Sequence, residues 1–171
     1  MPFGQIPVLE MDGKRLAQSY AICRFLARRF GYAGKTPFEE ALADSIADQI
    51  KDYMLEIRPF MVALLGLEQV DVEALKKDIF LPASAKLFRY MKKFLSDNTS
   101  GRSTSYSTFL TNPTDPGYLV GDSLTWADLY LAEHVAVYGK WFPEMLEGFP
   151  EIKSHSEKVR SNSALRKWIE T

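Results

Sequence analysis

This chain is poor in the residues from which metal centres and disulfide frameworks are built, with one cysteine, Cys23, and two histidines, His134 and His155, among 171 residues. A single thiol excludes an intramolecular disulfide. The two histidines have no Cys, His or acidic cluster at ligand spacing, so they read as core or surface residues and no metal site is expected. An excess of either charge is also lacking. Lys and Arg number 21 against 22 Asp and Glu, a formal net charge of −1, which excludes the broad positive field of a nonspecific nucleic-acid binder. Long apolar runs are missing too. The longest, Phe60 to Leu67, has eight residues including Gly66, far short of the roughly twenty that a membrane helix needs. Met1 to Arg15 has no basic segment followed by an apolar core, so the cytoplasm is the expected compartment. What remains, 46% apolar and 25% charged residues, is the composition of a folded globular protein.

The period of the apolar residues divides the chain. Ile6-Pro7-Val8-Leu9-Glu10-Met11 is extended in character, and Asp12-Gly13 is a strong two-residue hairpin signal before Lys14-Arg15-Leu16-Ala17. From Gln18 the spacing becomes helical through Ile22, Phe25, Leu26 and Phe30, with Arg28 and Arg29 in the last turn and Gly31 as the stop. Thr36-Pro37 followed by Glu39 and Glu40 has the features of a second helix start: a cap, a proline at the first helical position and acids at the positive helix end. Residues 1–34 and 35–171 are therefore read as two domains, the second all-α. Within the second, Leu42 to Leu65 keeps an apolar stripe through Pro59, where a kink is expected, and Leu75 to Leu95 makes another, interrupted at Pro82. These long helices are expected to pair. Ser96 to Gly117 is rich in Ser, Thr, Asn, Gly and Pro and reads as a mobile loop. A helix over Thr125 to Tyr138 follows, then shorter ones around Ile152 to Val159 and Ala164 to Ile169.

Two strands and one helix do not make a stable sheet layer by themselves, so the hairpin is expected to expose an apolar strand edge and to favour aggregation. Either the helical part carries it, a partner chain completes it, or residues upstream are lacking. Gln18-Ser19, at the entrance to the first helix, is the most informative spot. Unpaired N–H groups and the helix dipole make such a position an anion site, and the hydroxyl and amide add directional bonds to a carboxylate; an ordinary Ser cap explains the same residues. One hairpin upstream, Gly4-Gln5-Ile6-Pro7 can present the main chain of Ile6 outward to a peptide-like ligand. Asp44, Asp48 and Asp52 recur on one helix face, as ligand groups or as a solvated or interface stripe. Cys23, beside Ile22 in a helix, reads as a buried, inert thiol. Tyr53, Met54 and Ile57 either border an apolar pocket or are plain core.

The joint pattern GQIPVLEMDG followed by LAQSYAICRFLARRFG resembles the glutathione-binding half of cytosolic glutathione transferases, particularly the sigma-like class. Val120-Gly121-Asp122-Ser123-Leu124-Thr125-Trp126-Ala127-Asp128 is similar to the same family's C-domain signature, with Thr125 and Asp128 as an N-capping pair. The matching segments cover the chain except for about 98–116. The resemblance implies a mainly α protein: a truncated thioredoxin-like α/β domain with Pro7 as its cis-proline, then an all-α helical bundle. It implies a detoxifying transferase that adds the glutathione thiolate to an apolar electrophile, in a homodimer. Gly4, Gln5, Ile6 and Pro7 would line glutathione, Ile6 by main-chain bonds to the cysteinyl unit. Gln18 and Ser19 would hold the γ-glutamyl carboxylate, and Asp52 would reach across the dimer to the γ-glutamyl amine. Some relatives use the acidic cluster for a divalent cation, against which Lys51 argues here. The family's thiol-activating Tyr lies on a strand ahead of the GQIP segment, so no catalytic residue is assigned and impaired turnover is expected. The competing reading is a non-catalytic glutathione-binding or dimerisation scaffold.

Overall fold

A computed structural model describes residues 1–98 and 117–169. The expected loop over Ser96 to Gly117 lies almost wholly outside them. A short turn at Pro2–Gly4 leads into strands β1 (Val8–Met11) and β2 (Lys14–Ala17), which pair antiparallel from Val8 opposite Ala17 to Met11 opposite Lys14. The turn between them places Asp12 at φ 50° and Gly13 at φ 71°, the left-handed pair that a twisted two-residue hairpin demands. Helix α1 (Ser19–Phe30) follows, and Gly31, left-handed at φ 79°, ends it by donating its N–H to the Ala27 carbonyl. None of the eight strand residues is buried.

The helical part opens at Thr36. Its hydroxyl accepts from the Glu39 N–H at 3.1 Å while the Glu39 carboxylate accepts the N–H of Thr36 at 3.2 Å, a reciprocal cap for α2 (Pro37–Glu56). The kink expected at Pro59 is a one-residue break at Ile57, after which α3 (Arg58–Leu64) resumes, because the proline cannot donate to the Leu55 carbonyl. Pro82 has a related effect. Between α4 (Val72–Leu75) and α5 (Leu81–Asp97), residues Lys76–Phe80 form a wider turn, closed by the Leu81 N–H on the Lys76 carbonyl. Helices α6 (Trp126–Trp141), α7 (Pro150–Arg160) and α8 (Ser163–Ile169) complete the chain, with a 3₁₀ turn at Pro143–Leu146.

The core belongs to the helical part. Ile46, Ile50 and Tyr53 of α2 meet Phe60, Phe80, Leu87, Phe88 and Met91, with Leu131 of α6, and all are essentially inaccessible to water. Tyr53 and Ile57 are thus core rather than pocket wall. Both histidines are buried. His134 Nε2 lies 3.1 Å from Tyr53 Oη, and burial pushes its imidazole from 6.5 to about 4. His155 Nε2 donates to Asp128 Oδ1 at 2.9 Å. The Asp128 carboxylate also accepts from the Leu119 N–H and from the N–H and hydroxyl of Thr125, tying the start of α6 to α7.

Candidate functional site

The small domain sits on the helices through α1. Arg24 binds Asp44 at 3.1 Å and Asp48 at 2.6 Å, and Arg28 reaches Glu40 and Asp44. Trp126 donates its indole N–H to Asp44 at 3.2 Å and its backbone N–H to the Tyr32 carbonyl at 2.8 Å. Tyr20 donates to the Tyr130 hydroxyl at 2.6 Å. The acidic face of α2 is therefore divided. Asp44 and Asp48 hold α1 in place, whereas Asp52 is exposed and has no ion pair among the described residues. Lys51, next to it, lies 5.5 Å from the Tyr20 ring.

With α1 fixed, its N-terminus faces the entry to the hairpin. Gln5, Ile6, Pro7, Gln18 and Ser19 together line one small depression of about 40 Å³. The Ile6–Pro7 peptide is cis. Gln5 is extended at φ −123°, and Ile6 precedes the paired register with 81% of its surface exposed. Its main chain is thus not engaged by the hairpin and is open to a ligand strand. Gly4, at φ 63°, ends the preceding turn without joining the depression. Asp52 does not line it either.

The cap geometry does not match an ordinary Ser cap at Gln18-Ser19. The cap residue is Gln18, and Ser19 is the first residue of the helix; no side chain caps it. Gln18 stands at φ 75° and ψ 114°, a strained conformation for a residue with a Cβ, of the kind that clusters at ligand sites. Both side chains are exposed. The first turn of α1 thus keeps its orphan N–H groups, a hydroxyl and an amide at one rim, which is what a carboxylate requires.

Beyond Ser19 the structure reveals a cavity that sequence reasoning missed. About 430 Å³ in size, it lies between α1 and α6 and is walled mainly by Tyr20, Cys23, Leu26, Phe30, Trp126 and Tyr130. The helical spacing of α1 contained part of the signal, since Leu26 and Phe30 of its apolar stripe stand in this wall. Cys23 is exposed there and not buried as expected, because the stripe of α1 is only partly covered. Partial desolvation still raises its thiol pKa against the lowering effect of Arg24, so the thiol remains a poor nucleophile. Burial and the bond to Tyr130 likewise push the Tyr20 phenol upward, and its proton is already committed.

Comparison with known proteins agrees with this architecture. The family profile described as "Glutathione S-transferase, C-terminal domain" matches residues 57–171, and the corresponding N-terminal domain profile matches 1–28. The chain is 48% identical over 170 residues to "Probable glutathione S-transferase 8" of Caenorhabditis elegans, covering 99% of this chain and 75% of that protein. Among solved structures, a monomeric glutathione S-transferase of the hookworm Necator americanus superposes with a TM-score of 0.88 at 56% identity, over 99% of this chain and 75% of the other. A Nu-class enzyme from Haemonchus contortus does so with a TM-score of 0.82 at 54% identity, over 100% and 75%. The chain belongs to the glutathione S-transferase family. It has that family's fold, a small thioredoxin-like part joined to a helical domain, and the family's transferase function with glutathione as co-substrate.

Proposed function

We propose that the depression at the start of α1 holds the γ-glutamyl-cysteinyl part of glutathione. Gln18 and Ser19 bind the γ-glutamyl carboxylate, and the main chain of Ile6 pairs with the cysteinyl unit. Gly4, Gln5 and the cis-Pro7 shape the approach. One observation carries the reading: the Gln18 and Ser19 side chains are free of capping duty at an uncapped helix N-terminus beside an unpaired extended segment. The ligand thiolate then attacks an apolar electrophile in the cytoplasm. No proton step is assigned to Tyr20, whose hydroxyl proton is used by Tyr130.

Asp52 serves the γ-glutamyl amine of a bound molecule on a second copy of the chain. The exposed apolar side chains of α2 support this, since Leu55, three residues beyond Asp52, is 59% exposed and Phe38, at the start of the helix, is 77% exposed. Homodimerisation covers these two side chains. The boundary between the units falls at Gly34–Lys35, just ahead of the Thr36 cap. The finer assignment is the sigma-like class, supported by the GQIPVLEMDG and LAQSYAICRFLARRFG segments, with Nu class as the competing name. A scaffold that binds glutathione without turning it over is the second reading, favoured by the committed Tyr20 proton and the raised Cys23 thiol.

Steady-state kinetics with a chloronitrobenzene electrophile test the first reading. Ser19→Ala is expected to raise KM for glutathione about tenfold, the effect of one lost charge-assisted bond, with kcat little changed. An unchanged KM overturns the assignment of Ser19. Binding without any turnover selects the scaffold.

A further inference from the structure

Away from the glutathione half-site, a second groove of about 550 Å³ runs between α6, α7 and α8. It shares no residue with the depression at Gln18 or with the apolar cavity beside it. Its floor is apolar and made of small side chains, Val135, Ala136 and Gly139 of α6, with Leu146 from the adjoining turn. Gly139 lets that turn approach, because a Cβ there would stand 2.9 Å from Leu146 Cδ1. The rim is basic. Lys140 and Lys153 line it without an ion pair among the described residues, and Arg160 lines it while one guanidinium nitrogen, Nη1, holds Glu133 at 2.6 Å. For a chain of net charge −1, this is a local excess of positive charge beside apolar surface.

The arrangement of the charges narrows the ligand. Lys153 and Arg160 are seven residues apart on α7, about 10 Å along its axis. Glu157 lies between them and also lines the groove. A compact multiply charged anion centred there meets a carboxylate. An extended chain with acids at both ends passes it, since acids four residues apart share one face of an extended backbone and stand about 13 Å apart, within reach of the two long cationic side chains. We propose that this groove docks an extended acidic peptide segment of a partner protein, with carboxylates four residues apart over Lys153 and Arg160 and the apolar side chain midway between them on the Val135–Leu146 floor.

Fluorescence anisotropy of a labelled Glu-Ser-Leu-Ser-Glu peptide tests this, with Gln-Ser-Leu-Ser-Gln and inorganic pyrophosphate as comparisons. Saturable binding is expected that weakens at least about tenfold for the Gln peptide and for Lys153→Glu, and that falls as salt rises. Lys140→Glu, at the exposed end of α6, provides an independent variant with the same expected direction. Circular dichroism confirms that both variants fold. No saturation by millimolar peptide, equal binding by the Lys153→Glu protein, or displacement by pyrophosphate as effective as by unlabelled peptide overturns the proposal. Glutathione binding, read on the same samples, is expected to be unaffected.

Discussion

Replacing His134 with glutamine removes a buried titration site while keeping an amide N–H near the position of Nε2. In the folded chain the imidazole is 5% exposed and no carboxylate contacts it, so burial alone lowers its pKa to about 4. The hydrogen bonds define its state. Ser84 donates its single proton to the Phe80 carbonyl at 2.8 Å, so Tyr53 donates to Ser84, and His134 Nε2 must then donate to the Tyr53 oxygen. The unfolded chain takes up a proton below its ordinary 6.5, whereas the folded chain resists until about 4. This group therefore costs nothing above pH 7 and drains stability as the pH falls from 6.5 toward 4. Linkage gives about 2 kcal/mol lost by pH 5 and about 3 kcal/mol at the limit. Urea denaturation followed by far-UV circular dichroism at pH 7.5, 6 and 5 reads it. His134→Gln is expected to be less stable than the parent at pH 7.5 through imperfect packing, but to lose about 2 kcal/mol less on going to pH 5. Parallel pH dependences for the two proteins refute the reasoning.

Asp128→Ala is expected to cost about 3–5 kcal/mol in urea unfolding, because it strands the buried His155 and the Leu119 N–H together. Arg24→Met cuts α1 loose from Asp44 and Asp48; those groups are partly solvated, so about 1 kcal/mol in thermal unfolding is expected, with faster hydrogen exchange across α1 than across α5. Gly34→Ala is expected to lower stability by about 2 kcal/mol or more. Gly34 has φ 113°, and a Cβ would meet the Glu39 Cβ at 2.8 Å and the Glu40 nitrogen at 3.0 Å, so the α2 cap must shift.

Much of this architecture could be read from the chain because its signals are local. Asp12-Gly13 dictates a tight hairpin, Gly31 stops α1, and Thr36 with Glu39 starts α2, each through contacts spanning only a few residues. The prolines were less legible: Pro59 and Pro82 announce a disturbance, but whether it becomes a break or a widened turn depends on packing around Phe60 and Phe80. The proposed anion site was visible as Gln18-Ser19, yet its cap geometry was not, since a positive φ at glutamine reflects tertiary constraint rather than propensity. Asp44, Asp48 and Asp52 look alike in sequence, and only the position of Arg24 separates the two structural acids from the third. The cavity beside Cys23 escaped for a similar reason. A stripe of apolar residues gives the face of a helix but not how fully that face is covered.

The central claim is that glutathione is held at the uncapped start of α1. Calorimetric titration of glutathione into the 171-residue chain, repeated with a Gln18→Ala/Ser19→Ala variant, tests it most directly. The account predicts saturable binding at one site per chain, weakened about a hundredfold or beyond detection in the double variant, with the circular dichroism spectrum unchanged. Equal affinity in the two proteins, or no saturation of the parent by millimolar glutathione, contradicts it.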